Sequence, residues 1–161
     1  RNSFKQCIAA GTQITGSLEQ LVKEMSKKLD TLGTLSTIRQ HGDFCLNNLI
    51  VEKDHIHIID FEDFGITSMP LFDEISLALS MHLQSPINMK TSIIHELETC
   101  TLESATRFRI EKSLLPAFFL HHLLLRLGEW SMGERRKGYR KWLLETLESF
   151  VLDQNKFFGE L

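Results

Sequence analysis

Apolar residues recur at helical spacing early in the chain and predict one amphipathic helix there. Glu and Lys side chains occupy the opposite face, while one face carries Leu18, Leu21, Val22, Met25, Leu29 and Leu32. Ser17, with Gln20 three residues later, has the form of a capping box, so this helix is predicted to begin at Ser17 and to end near Gly33. Residues 1–16 are weakly patterned and contain two glycines, which favours a loop or a frayed helix.

The hydrophobic pattern changes its period in the middle of the chain. Two short β-rich runs, Asn48–Val51 and Ile56–Ile59, are separated by the four polar residues 52–55. A short polar connection between two β-branched runs predicts an antiparallel hairpin.

Helical patterning returns beyond Pro70 and predicts four more helices, over residues 71–84, 88–100, 105–127 and 134–152. Pro116 is predicted to kink the third of these helices or to split it. The basic residues at 135–137, 140 and 141 predict a solvated start for the last one. The predicted fold class is α+β, predominantly α-helical, with one small β-hairpin.

Size, charge and cysteine content narrow the class of protein. A chain of 161 residues fits a single compact domain over 1–161, and a net charge of −3 argues against a general nucleic-acid binder. The longest apolar stretch, Leu114–Leu125, is interrupted by Pro116 and two histidines and is too short to cross a membrane. Three widely spaced cysteines predict free thiols in a reducing compartment, so we expect a cytoplasmic protein without a nucleic-acid or membrane partner.

Two loops flanking the predicted hairpin are rich in polar side chains. Because a hairpin brings its ends together, Asn48 and Asp60 are predicted to lie side by side, with Asp43 on the loop just before them. Two oxygen ligands at one place suit Mg²⁺, which commonly takes one or two protein groups together with substrate phosphates. Asp43 is then placed to accept a proton from an attacking hydroxyl. Loop Asp and Asn residues are usually turn formers, but no turn type demands this whole set.

The segment His41–Asn48 resembles the HGDxxxxN catalytic loop of the aminoglycoside phosphotransferase and choline kinase-like family, small-molecule relatives of the protein kinases. Ile59–Glu62 is similar to the metal-binding segment of that family, and Gly65–Pro70 with Asp73 and Ala78 to the stretch that follows it. The resemblance is specific over residues 39–80. Beyond them it is compatible only as a helical block.

The resemblance implies a role for each matching residue. Asp43 is the catalytic base or the carboxylate that orients the hydroxyl, and Asn48 and Asp60 are the Mg²⁺ ligands that bind the ATP phosphates. His41 supports the loop backbone, and Asp73 braces the loop by hydrogen bonds from the start of a helix. A further expectation is that Glu62 assists with a second metal ion or with the substrate.

The sequence also departs from the family pattern. Cys45, Leu46 and Asn47 stand where the family often has His, Pro and Gly, yet none of these changes removes a carboxylate. The chain starts at Arg1 rather than Met and shows no Gly-rich loop or strand lysine ahead of His41. We therefore expect the C-terminal lobe of a kinase-like fold, without its N-terminal nucleotide lobe, inactive alone and prone to self-association.

With its partner lobe, such a chain transfers the γ-phosphoryl group of ATP to a hydroxyl of a small molecule such as an aminoglycoside or choline. The alternative is a non-catalytic pseudokinase lobe that serves as a binding or scaffold module in a larger protein. Retention of Asp43, Asn48 and Asp60 together argues against this alternative, since a scaffold has no need of all three.

Overall fold

The computed structural model describes residues 2–32, 36–85 and 92–159. Over these residues the fold is mostly helical, with one two-stranded antiparallel sheet, as predicted. In chain order its elements are α1 (Asn2–Ala9), α2 (Gly16–Asp30), β1 (Leu49–Glu52), β2 (His55–Ile58), α3 (Phe72–Gln84), α4 (Ile93–Phe108), α5 (Leu115–Arg126), α6 (Lys137–Leu152) and α7 (Asn155–Phe158). Within the described ranges, every helix is too short or too polar to span a bilayer.

The start of the chain differs from the prediction in two ways. Residues 2–9 form a regular helix, α1, although their patterning is weak. Helix α2 is capped by Thr15 rather than by Ser17, because the Thr15 hydroxyl accepts the N–H of Leu18 at 3.2 Å. The Gln20 side chain does not complete a capping box and instead donates to Glu24.

The boundary between α4 and α5 was also predicted wrongly. Helix α4 continues past Cys100 to Phe108 and ends where Arg109 takes a left-handed conformation. The N–H of Ile110 then bonds to the carbonyl of Ala105, which is the six-to-one bond of a Schellman motif. Pro116 lies in the first turn of α5, where its missing N–H costs nothing, so it neither kinks nor splits a helix. Residues 88–91 of the predicted helix 88–100 lie outside the described residues.

The chain divides into two compact units. The discontinuous unit comprises Arg1–Thr34 and Ser113–Leu161, and the central unit comprises Leu35–Lys112.

In the discontinuous unit, α5 packs against α1, α2 and α6 and has ten of its twelve residues buried, as the apolar run predicts for a core helix. Its Phe119 contacts the rings of Phe150, Phe157 and Phe158, with centroids 5.1–5.6 Å apart. The short helix α7, which was not predicted, is thereby held to the core by two aromatic side chains.

Arg140 corrects the expectation of a solvated basic cluster at the start of α6. Its guanidinium donates to the carbonyls of Ala10 and Leu127, at 2.8 Å each, and to the hydroxyls of Thr12 and Ser131. Arg140 therefore joins the chain after α1 to the end of α5, where unpaired helix carbonyls favour a cation.

In the central unit, α3 and α4 pack against each other and the hairpin precedes them. Apolar side chains on both helices are almost completely buried, among them Phe72, Ile75, Leu79 and Leu97. The start of α3 is therefore a rigid base for the loop that precedes the hairpin.

Candidate active site

The hairpin places Asn48 beside the residue that precedes Asp60. Its strands pair from Leu49 with Ile58 to Glu52 with His55, one residue away from the predicted bounds, and a two-residue connection joins them. Below this ladder, the N–H of Ile59 donates to the carbonyl of Asn48 at 3.0 Å. The loop of residues 39–48 and the loop of residues 60–65 therefore meet at the open end of the hairpin.

Asp73 holds the beginning of the 39–48 loop. One carboxylate oxygen accepts the N–H of His41 at 2.5 Å, and the other accepts the N–H of Gly42 at 2.9 Å. Asp73 lies in the first turn of α3, where the helix dipole favours a negative charge. These are the loop hydrogen bonds expected of Asp73.

Asn48 binds Asp43 directly. Its Nδ2 donates to the carbonyl oxygen of Asp43 at 2.7 Å and to the Oδ2 of the Asp43 carboxylate at 3.3 Å. Because Asp43 offers only acceptors here, the NH₂ end of the Asn48 amide must face it, and Oδ1 of Asn48 faces away. The contact fixes the Asp43 carboxylate and leaves an amide oxygen directed elsewhere.

His41 contacts its own loop through one ring nitrogen and the end of the hairpin, at Ile59, through the other. The N–H of Asp43 donates to Nδ1 at 3.3 Å, so this nitrogen carries no proton and acts as an acceptor. Nε2 lies 3.0 Å from the carbonyl of Ile59, which accepts only if Nε2 is protonated. The tautomer that carries its proton on Nε2 satisfies both contacts, and the centroid of the imidazole lies 4.4 Å from that of the Phe61 ring.

Gly42 allows the two loops to approach each other closely. Its φ is +90°, and a Cβ added there would lie 2.1 Å from the carbonyl oxygen of Asp63. The 60–65 loop is further held by the N–H of Gly65, which donates to the carbonyl of Gln40 at 2.8 Å. Only glycine fits this contact between the loops.

Asp60 and Glu62 are solvent-exposed, and their carboxylates make no hydrogen bond or ion pair with the described residues. Asp60 has a φ of +62°, a strained conformation for a residue other than glycine. No group of three or more His, Cys, Asp or Glu side chains in the described ranges is arranged to hold a metal ion. The predicted ligands at this end of the hairpin are the Asn48 amide, which contacts Asp43, and the exposed Asp60 carboxylate.

The structure thus joins His41, Asp43, Asn48 and Asp73 in one hydrogen-bonded group, with Asp60 beside it and Glu62 exposed. Their catalytic and metal-binding roles stay predictions. Sequence reasoning missed Gln40, whose Oε1 accepts the N–H of Asp73, and Ser80, whose Oγ accepts the N–H of Leu46. A polar residue on the buried face of a predicted helix is the signal that marks Ser80.

One face of the hairpin is apolar and open to solvent. By strand alternation it carries Leu49 and Val51 opposite Ile58 and Ile56. Val51 is 72% exposed and Ile56 is 66% exposed. The hairpin thus presents an exposed aliphatic patch at its surface.

A cavity of about 850 Å³ lies elsewhere, inside the discontinuous unit. It is lined by residues 10–18 with the 131–134 turn and α6, and none of the predicted site residues contacts it. Its lining includes two acidic residues, Glu134 and Glu148, and two basic residues, Lys137 and Arg140. The cavity therefore favours neither a cationic nor an anionic ligand.

Comparison with known proteins identifies the family. Neither a curated protein nor a solved structure matches the chain significantly. The model of the phosphotransferase enzyme family, APH, matches residues 8–88, a range that contains both loops, the hairpin and α3. Since this range is just over half of the chain, the protein belongs to the phosphotransferase enzyme family.

Proposed function

We propose that this chain carries the phosphoryl-transfer site of an ATP-dependent kinase that acts on a hydroxyl group of a small molecule. The observation that supports this most is the contact between Asn48 and Asp43 at the open end of the hairpin, beside Asp60. Phosphoryl transfer needs a carboxylate held still near the acceptor hydroxyl and oxygen ligands for Mg²⁺ close by.

Asp43 is the group that orients the acceptor hydroxyl and accepts its proton. Its carboxylate is held on one side by Nδ2 of Asn48, and its backbone N–H is held by Nδ1 of His41. A residue held at both its carboxylate and its backbone keeps its geometry while the acceptor binds, and such positioning is a main contribution that a protein makes to this chemistry.

The residues at the hairpin end fit a magnesium ion. Oδ1 of Asn48 faces away from Asp43, and the Asp60 carboxylate has no partner among the described residues. Mg²⁺ prefers such oxygen donors and is commonly held by one or two of them plus phosphate oxygens. When bound, Mg²⁺ supplies positive charge that stabilises the phosphate groups during transfer.

The nucleotide site also requires a second lobe, since residues 1–40 contain no Gly-rich loop. We place this lobe on the apolar hairpin face of Leu49, Val51, Ile56 and Ile58, because that face is exposed here. The chain alone is then inactive, and its uncovered face favours self-association, which light scattering over a range of concentrations measures.

An aminoglycoside, choline or a similar amine-bearing alcohol is the acceptor class we propose.

Binding of Mn²⁺ in the presence of ATP tests the site. Mn²⁺ shares the oxygen preference of Mg²⁺ and broadens nearby amide signals in NMR spectra. We expect selective broadening around Asn48 and Asp60 that is lost in Asp60→Asn. The matched control is Asp54→Asn, the same substitution in the turn at the far end of the hairpin, which should keep the broadening.

Two results would contradict the proposal. Absence of localised broadening with ATP present, both in this chain and in a longer chain that includes the N-terminal lobe, would remove the metal site and favour the scaffold alternative. Broadening that persists in Asp60→Asn would place the ion elsewhere.

A further inference from the structure

Ser80 binds the middle of the 39–48 loop from the buried side of α3. Its Oγ accepts the backbone N–H of Leu46 at 2.9 Å, and Nε2 of Gln84 donates to the same oxygen at 3.2 Å. The Ser80 residue is only 6% exposed. Leu46 begins a 3₁₀ turn, and Ser80 supplies the acceptor for this first N–H of the turn.

Asp73 and Ser80 hold the loop from the same face of α3. They are seven residues apart, close to two turns of 3.6 residues, so their side chains project in the same direction. Asp73 binds the N–H groups of His41 and Gly42, and Ser80 binds that of Leu46. Asp43 lies between these two attachment points.

The second attachment controls the position of Asn48. Leu46 begins a 3₁₀ turn that ends at Asn48, whose side chain binds both the carbonyl and the carboxylate of Asp43. If the backbone of Leu46 shifts, the short 3₁₀ turn shifts with it and displaces the Asn48 amide. The hydrogen bonds from Asn48 to Asp43 then change as well. We infer that Ser80 is a positioning residue for the Asp43–Asn48 pair. The use of that pair in phosphoryl transfer rests on the proposed function.

The helix itself offers a matched control. Ser76 lies one turn before Ser80 on α3, is 5% exposed, and its Oγ has no hydrogen-bond partner among the residues that the structure describes. Ser80→Ala and Ser76→Ala therefore remove the same atom from equally buried sites of one helix, and only the first removes a bond to the loop. Ser80→Thr keeps the acceptor oxygen and serves as the rescue variant.

Two NMR measurements do not depend on a metal ion. Amide hydrogen exchange at Leu46 should rise about fivefold in Ser80→Ala, the factor that corresponds to one ordinary hydrogen bond. The side-chain NH₂ signal of Asn48 should shift in the same variant. Neither change is expected in Ser76→Ala. Ser80→Thr should restore the slow exchange at Leu46 and the original position of the Asn48 signal.

The third measurement is the affinity for Mn²⁺ with ATP, which should weaken about fivefold in Ser80→Ala and stay constant in Ser76→Ala. Equal behaviour of the two alanine variants would overturn the inference. Faster exchange at Leu46 with an unchanged Asn48 signal would also overturn it, because Ser80 would then anchor the loop without positioning the pair. If neither this chain nor the longer chain with its N-terminal lobe shows Asp60-dependent Mn²⁺ binding, the proposed function fails, while the Asn48 signal still decides the role of Ser80.

Discussion

The side chain of Gln40 binds the backbone of Asp73, and the side chain of Asp73 binds the backbone just after Gln40. Oε1 of Gln40 accepts the N–H of Asp73 at 3.0 Å, while the Asp73 carboxylate accepts the N–H groups of the two residues that follow Gln40. The Gln40 side chain thus satisfies one of the free N–H groups at the start of α3, and α3 in return orders the loop. Because Gln40 is 4% exposed, water does not replace these bonds readily.

Asp73→Asn should destabilise the central unit by about 2 kcal/mol, the typical contribution of a hydrogen bond to a charged acceptor. The amide keeps one acceptor but turns an NH₂ group toward a backbone N–H, so one of the two bonds is lost. Urea unfolding followed by circular dichroism measures the change. The same substitution at the exposed Asp54 is the control, and an equal effect at both sites would show that Asp73 does not brace the loop.

Gly42→Ala should be more damaging than Gly65→Ala, although both glycines have similar positive φ angles of +90° and +82°. Both variants place an alanine in a left-handed conformation, at a cost of about 1–2 kcal/mol. Only at Gly42 does the new Cβ meet another chain segment, the backbone of Asp63. We expect an additional loss of about 3 kcal/mol in denaturant titrations of Gly42→Ala. Equal losses would mean that the two loops are not in contact.

Thr15→Ala should lower the free energy of unfolding by about 1 kcal/mol, whereas Ser17→Ala should change it little. Thr15 supplies the hydroxyl that caps α2, and Ser17 lies exposed in the first turn. Thermal unfolding of the two variants measures the difference. The reverse order would restore Ser17 as the cap.

His121 should make the stability of the discontinuous unit depend on pH. Burial lowers the pKa of His121 to about 4 from its ordinary value of 6.5. Between these two values the unfolded chain binds more protons than the folded one, so the free energy of unfolding falls as the pH falls. The stabilisation is complete above pH 6.5, and about 3 kcal/mol is lost by pH 4.

Urea titrations at several pH values measure this dependence. His121→Gln should flatten it and keep a polar partner for the Ser3 hydroxyl, which lies 3.3 Å from Nδ1 of His121. His55→Gln, at an exposed position of the hairpin, should leave the profile unchanged. An unaltered slope in His121→Gln would assign the pH dependence to other groups.

The hairpin and the loops beside it were predictable because their signals are local. Alternation of β-branched residues defines the strands, and the fixed spacing from His41 to Asn48 and from Asp60 to Asp73 identifies the motifs. That the two loops meet at the open end of the hairpin then follows from the antiparallel pairing of the strands alone. What could not be predicted is the contact network beneath it, since Gln40 and Ser80 act through the backbone of residues distant in sequence.

The errors at helix ends have different physical causes. Thr15-Gly16-Ser17 offers two hydroxyl caps, and the choice between them depends on the path of the chain that leaves α1. Helix α4 ends in a Schellman motif whose left-handed residue is Arg109, so the glycine that normally marks such an end is missing. Tertiary packing of Ile110, which is 7% exposed, fixes that end, and no local pattern reveals it.

The division of the chain into a discontinuous and a central unit has a consequence for synthesis on the ribosome. The hydrogen bond from Arg140 to the carbonyl of Ala10 spans 130 residues, and α1 packs on α5, so the discontinuous unit cannot close until nearly all of these residues have emerged. The central unit is one continuous segment and closes with far shorter chain loops. The segment that carries Asp43, Asn48 and Asp60 is thus able to fold first. Helices α1 and α2 pack only after α5 and α6 have been translated.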